Sequence, residues 1–197
     1  VDNQVTVDSY INWVNDDLTV DAIKQFLLHY SKALIDPLIA YIQDYGIALE
    51  AHMQNTIVNL GPNYQMKFIV RDLGGSRIDL TTLKYKIPNI DVTNTSLIAE
   101  SIEEVIAKFQ HAVIQNQIAE LIHHFSQYEF VKASELFELV GEIVEHAIDP
   151  SKPHANKLKQ VLFGETITVK ALLRMRMESK VKQYVTIDLR NPIYKEV

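Results

Sequence analysis

The sequence predicts an α+β fold, mostly helical, in which a small antiparallel hairpin packs with a helical bundle. Apolar residues return at helical spacing over 18–45 and again over 97–148. Between those stretches, two short β-branched or apolar runs, Thr56-Ile57-Val58-Asn59-Leu60 and Gln65-Met66-Lys67-Phe68-Ile69-Val70, flank the turn cluster Gly61-Pro62-Asn63.

Taken in order, Ala22, Ile23, Phe26, Leu27, Tyr30 and Leu34 share one helical face, and Pro37 follows Asp36 as it would in the first turn of a new helix. The expectation is two helices, about 19–35 and 37–45, with Gly46 closing the second. After the hairpin, Gly74-Gly75 breaks the chain, and an extended piece over 76–80 leads into a polar stretch ending near 95. The next long helical region has apolar positions at 98, 102, 105, 106, 109, 113, 118, 121, 122 and 125. It continues over 130–148, with Ser134 as the cap and Glu135 and Glu138 near its start. Asp149-Pro150-Ser151-Lys152-Pro153 is a loop, and a last helix is expected over about 153–162. Periodicity leaves 169–177 open between helix and strand. There is no internal repeat and no low-complexity tract.

Composition narrows the function classes. With 47% hydrophobic and 22% charged residues in 197, the chain can bury one good core or two small lobes sharing an interface. The formal charge is −6 and no basic run could track a phosphate backbone, so nucleic acid is not an expected partner. The absence of Cys fits a reducing cytosol, and neither a membrane span of about 18 apolar residues nor a signal peptide is visible. A cytoplasmic protein without membrane contact is the expectation. Its first residue is Val1, as in a piece of a longer chain.

Chemistry-bearing side chains concentrate between residues 50 and 77. Glu50, His52, Gln54 and Asn55 precede the hairpin, and Arg71-Asp72 follows it. A magnesium nucleotide needs oxygen ligands, usually one or two carboxylates, with phosphate oxygens completing the octahedron. Glu50, Asn55 and Asp72 are the right types. His52 or Arg71 could stabilise charge growing on a phosphate or carboxylate oxygen. A hairpin between Asn55 and Asp72 returns the chain beside its start, and Gly74-Gly75 lets backbone approach a ligand. Spacing alone leaves the plain alternative open, because Glu-x-His is commonly surface polarity and Arg-Asp at a strand end is commonly a local ion pair.

The run Tyr45-Gly46-Ile47-Ala48-Leu49-Glu50-Ala51-His52-Met53-Gln54-Asn55-Thr56, followed by Val70-Arg71-Asp72-Leu73-Gly74-Gly75-Ser76-Arg77-Ile78, closely resembles the carboxy-terminal part of the IucA/IucC family. These are siderophore synthetases that work independently of nonribosomal peptide synthetases. The stretch 169–177, Val-Lys-Ala-Leu-Leu-Arg-Met-Arg-Met, and Asn191-Pro192 look like the family's closing segments, so the resemblance spans about 20–192.

That resemblance implies a hand-shaped enzyme, with a palm portion over 1–95 carrying the ATP and Mg²⁺ motifs, a helical thumb with a closing palm segment over 96–197, and fingers lying before this chain. It implies ATP-dependent adenylation of a carboxylate (citrate, a citryl derivative or α-ketoglutarate) and attack by an amine or hydroxyl, in iron-chelator biosynthesis. Carried over, Glu50 and Asp72 would hold Mg²⁺, Asn55 and Gln54 would place metal and phosphates, and His52 would contact the α-phosphate and the reacting carboxylate. Arg71 is a nucleotide candidate, while Arg77, Lys170 and Arg176 are substrate candidates. Family members often form homodimers, and without the fingers the chain is expected to be inert.

Two other classes are compatible with parts of the pattern. A small-molecule kinase would place His-x-x-Asn before a hairpin and an acidic ligand, but Gln54 stands where its base would be sought. A non-catalytic helical binding module would use the same region as a structural hairpin. Outside the motif, His111, His123 and His124 read as helix-face residues, Trp13 as an anchor for the amino-terminal segment, and Glu135, Glu138, Glu142 and Glu145 as a solvated face.

Overall fold

A computed structural model describes residues 6–170 and 186–196, with the side chains of Lys170 and Thr186 outside the description. Helix α1 (Thr6–Asn15) leads into α2 (Val20–Tyr45), capped by the Thr19 side chain, which accepts from the Ala22 N–H at 3.2 Å. Helix α2 is one continuous element, where two were expected. Pro37 withdraws the N–H that would reach back one turn, at a cost of about 3 kcal/mol. Leu34, Ile35, Leu38, Ile39 and Ile42 are buried on both sides of it, and each contributes roughly 1.5–3 kcal/mol. Burial of that stripe outweighs the missing bond.

Four strands follow as two antiparallel pairs. β2 (Thr56–Leu60) and β3 (Met66–Val70) form the expected hairpin, in register Thr56↔Val70 through Leu60↔Met66. Its turn is a tight Pro62–Tyr64 coil with Asn63 and Tyr64 in the left-handed region. Strand alternation turns Val58, Leu60, Met66 and Phe68 towards the core and leaves Ile57 and Ile69 outside. Phe68 meets Tyr30 of α2 edge-on, 4.9 Å between ring centres. The second pair joins β1 (Ile47–Ala48) to β4 (Arg77–Ile78), with Ala48 opposite Arg77.

Helix α3 (Leu80–Lys86) occupies part of the stretch read as extended and polar. At seven residues it is too short to show a period, and it is set by Asp79, whose carboxylate accepts from the Thr82 N–H at 2.9 Å. The long helical region runs as α4 (Ile102–Phe109), a π-helix (Gln110–Ile118) and α5 (Ala119–Phe125). Helix α6 (Ala133–Ala147) starts after Lys132 with no side-chain cap, so Ser134 does not cap it. Glu135 instead pairs with Lys24 of α2 at 2.7 Å. Helix α7 (Ala155–Leu162) precedes β5 (Thr166–Lys170), which pairs with β6 (Thr186–Arg190).

The core lies where α2 packs along α6 and α4 meets α7, with Phe26, Phe109, Phe125 and Phe163 fully buried. Trp13 is 61% exposed; the buried ring of α1 is Tyr10, whose hydroxyl donates to Gly61 O at 2.7 Å. No described helix is long and apolar enough to cross a membrane. The mostly helical fold with small antiparallel sheets against helices is the one the sequence predicts.

Gly46 fixes the entry to β1. Its φ of 66° closes α2, and a β-carbon there would stand 2.8 Å from Thr82 Cβ. Gly46→Ala is therefore expected to destabilise the protein by about 2–3 kcal/mol, read as a lower urea midpoint at unchanged m-value.

Candidate active site

The two strand pairs leave two loops between them, one over 49–55 joining β1 to β2 and one over 71–76 joining β3 to β4. Each is pinned at both ends, because the partners of its flanking strands flank the other loop. The Arg71 N–H donates to Asn55 O at 2.8 Å, which closes the hairpin at its mouth.

In the first loop, the His52 N–H donates to Glu50 O at 3.0 Å and the Asn55 N–H to His52 O at 2.9 Å, winding Met53–Asn55 into a tight turn. His52 is half-buried, Gln54 exposed and Asn55 buried. In the second, Asp72 adopts φ 57°, a left-handed conformation that Asp tolerates better than bulkier residues, and its carboxylate accepts from the Gly74 N–H at 3.4 Å. Arg71 crosses between the loops: Nε and Nη2 donate to Gln54 O at 3.3 and 3.0 Å.

Glu50 and Gly75 are in direct contact. A β-carbon on Gly75 would stand 1.5 Å from Glu50 Oε2, so only glycine lets the carboxylate lie there. The other carboxylate oxygen, Oε1, is ion-paired with Lys108 of α4. Arg77 pairs with Glu104 at 3.1 Å and donates through Nη1 to Ser76 O at 3.0 Å. Glu50, Gly74, Gly75, Arg77, Glu104, Lys108, His111 and Thr168 line a cavity of about 650 Å³.

The structure thus brings Glu50, Arg77 and the glycine pair to one cavity, and holds His52, Gln54, Asn55, Arg71 and Asp72 on the loops beside it. Lys170 ends β5, its side chain outside the description, and Arg176 lies outside the described residues. Glu104, Lys108 and His111 were not singled out as site residues from the sequence. Their i, i+4, i+7 spacing places all three on one helix face, the one signal that could have found them. Among the described residues no three His, Cys, Asp or Glu side chains gather as a metal cage. Two carboxylates and an amide oxygen, from Glu50, Asp72 and Asn55, still match a cation that takes much of its shell from phosphates and water.

Comparison with known proteins finds relatives that are all longer than this chain. Staphyloferrin A synthase of Staphylococcus aureus is 64% identical over 197 residues, all of this chain and 34% of that protein. D-ornithine–citrate ligase of the same species is 27% identical over 88% of the chain and 29% of its own length. Spermidine–citrate ligase of Bacillus anthracis is 23% identical over 88% of the chain and 30% of its own length. The ATP-bound aerobactin synthetase IucA of Klebsiella pneumoniae has the same fold, with a TM-score of 0.78 at 18% identity over 96% of this chain and 33% of that one. The petrobactin biosynthesis protein AsbB of Bacillus anthracis gives 0.75 at 19% over 95% of this chain and 32% of that one. The chain spans about a third of the length of these relatives. The family model described as "Ferric iron reductase FhuF-like transporter" matches residues 24–185, and the chain belongs to that family.

Gly75→Ala is expected to keep the fold but destabilise it by about 1–3 kcal/mol, since the displaced carboxylate leaves the largely buried Lys108 without its partner. A crystal structure of that variant should show the Glu50 carboxylate displaced from Lys108.

Proposed function

We propose that the chain is the ATP-site portion of a longer acid–amine ligase of siderophore biosynthesis, with residues 1–95 as its palm portion and 96–197 as thumb and closing palm segment. The carrying observation is the pair of mutually pinned loops, which holds both halves of the motif at one mouth. In the reaction, a carboxylate oxygen attacks the α-phosphorus of ATP, pyrophosphate leaves, and an amine then displaces AMP to form the amide. Activation is needed because a free carboxylate resists nucleophiles.

Magnesium, held by Glu50, Asp72 and Asn55, would supply charge neutralisation for the phosphates. His52 faces the reacting carboxylate and α-phosphate, where a donor stabilises the developing charge. Gln54 and Arg71 act as one unit on the phosphates, since the guanidinium is already tied to Gln54 O. Arg77, with Lys170 and Arg176, receives the substrate carboxylates, for which a planar guanidinium offers paired donors. Citrate is the acid we assign, because three relatives carry citrate in their names alongside an amine. Iron reduction, as in the wording of the family model, finds no support in these 197 residues, which contain no Cys to hold an iron–sulfur cluster.

The test is citrate-dependent pyrophosphate release by the full-length protein with Mg·ATP and an amine. His52→Ala and Asp72→Ala are each expected to lower kcat by about 100-fold or more while the unfolding midpoint stays near that of the parent. ADP in place of pyrophosphate would rule out adenylation, and retained turnover in both variants would remove these residues from the chemistry.

A further inference from the structure

The helix joining α4 to α5 is wound as a π-helix through nine residues, Gln110–Ile118, whereas π geometry mostly occurs as single turns and often at functional sites. Side chains support the wide winding. Asn116 Nδ2 donates to His111 O, five residues back, at 2.8 Å, and His111 Nδ1 stands 3.0 Å from Gln115 Oε1.

Among the side chains the winding buries is Gln117, fully enclosed at 0% exposure. Its Nε2 donates to the Tyr30 hydroxyl of α2 at 2.7 Å, and its Oε1 accepts from Thr56 Oγ1, at the start of β2, at 3.3 Å. The single Thr56 hydroxyl proton is shared between that oxygen and His52 O, which stands 2.9 Å from Thr56 Oγ1. Burying an amide is unfavourable unless it is bonded, and an apolar side chain would fill this space without that cost. A buried amide spanning α2, the π-helix and the first hairpin residue therefore fixes a geometry that an apolar side chain would not.

We propose that Gln117 is a positioning residue for His52, acting through Thr56. The proposal rests on the role given to His52 above. The carbonyl that Thr56 holds is the one that accepts the Asn55 N–H. One hydroxyl thus sets both the histidine and the turn carrying Gln54 and Asn55. Tyr30 fixes the other end of the relay, since its ring packs between Phe26 and Phe68 at 5.4 and 4.9 Å.

The experiment compares Gln117→Leu, Thr56→Val, Thr56→Ser and His52→Ala in the full-length protein, with citrate, Mg·ATP and hydroxylamine as the trapping amine. Gln117→Leu and Thr56→Val should each lower kcat by about tenfold, with the KM for ATP within about threefold. Thr56→Ser, which keeps the hydroxyl, should retain parental kcat. The double variant Gln117→Leu/Thr56→Val should fall no further than either single change, because both act along one path. Thr56→Ser as impaired as Thr56→Val, or parental kcat in Thr56→Val, overturns the relay even if Gln117→Leu fails to fold. Turnover in His52→Ala would bring down the reading of the site and the relay with it. Loss in His52→Ala beside parental turnover in Gln117→Leu would overturn the relay alone.

Discussion

The site depends on one constraint, that two loops are each tied at both ends to strands that pair across to the other. β1 with β4 fixes one side and β2 with β3 the other, so neither loop can shift without breaking backbone hydrogen bonds in both pairs. Two-residue strands such as β1 and β4 would not be stable in isolation. They hold because Gly46 O accepts the Asp79 N–H at 2.8 Å and Ile78 O accepts the Ala99 N–H at 2.9 Å. Loop positions are thereby passed down to α2, whose buried stripe anchors Gly46.

Charge is arranged inside that frame so that the cavity is nearly balanced. Lys108 meets Glu50, and Arg77 meets Glu104. The Lys108 side chain is only 15% exposed and Glu50 27%, so each would be unfavourable to bury without the other. Any cation drawn to Glu50 must compete with Lys108, and an anion at Lys108 or Arg77 must compete with a carboxylate. A metal nucleotide brings both charges together, and so can replace these pairs without leaving a buried charge uncompensated. The Tyr30 hydroxyl stands apart from this exchange, held above its ordinary titration range by burial, an effect its bond from Gln117 partly offsets.

Much of the fold was legible because its signals are local. The hairpin shows in alternation and in Gly61-Pro62-Asn63, and α6 in its apolar stripe. The misses were set by tertiary structure. Pro37 suggested a break that packing overrode, α3 was too short for its period, and Ser134 stands inside a helix that starts after Lys132 without a side-chain cap. In the site, Glu50 to Arg77 could be read as a motif because its residues are close in sequence. Lys108 and His111 show in the sequence only as a shared helix face with Glu104, and Gln117 shows no such signal, since the π-helix that buries it leaves no simple trace in the residue pattern.

The central claim is that the two loops jointly hold a metal nucleotide. Anomalous scattering from Mn²⁺, in crystals of the full-length protein with a non-hydrolysable ATP analogue, tests it most directly. The account predicts one metal peak between the loops, bonded to Glu50 and Asp72 oxygens at about 2.0–2.3 Å, with Lys108 released from Glu50. A nucleotide-bound metal elsewhere, with the Glu50 to Lys108 pair intact, would contradict it.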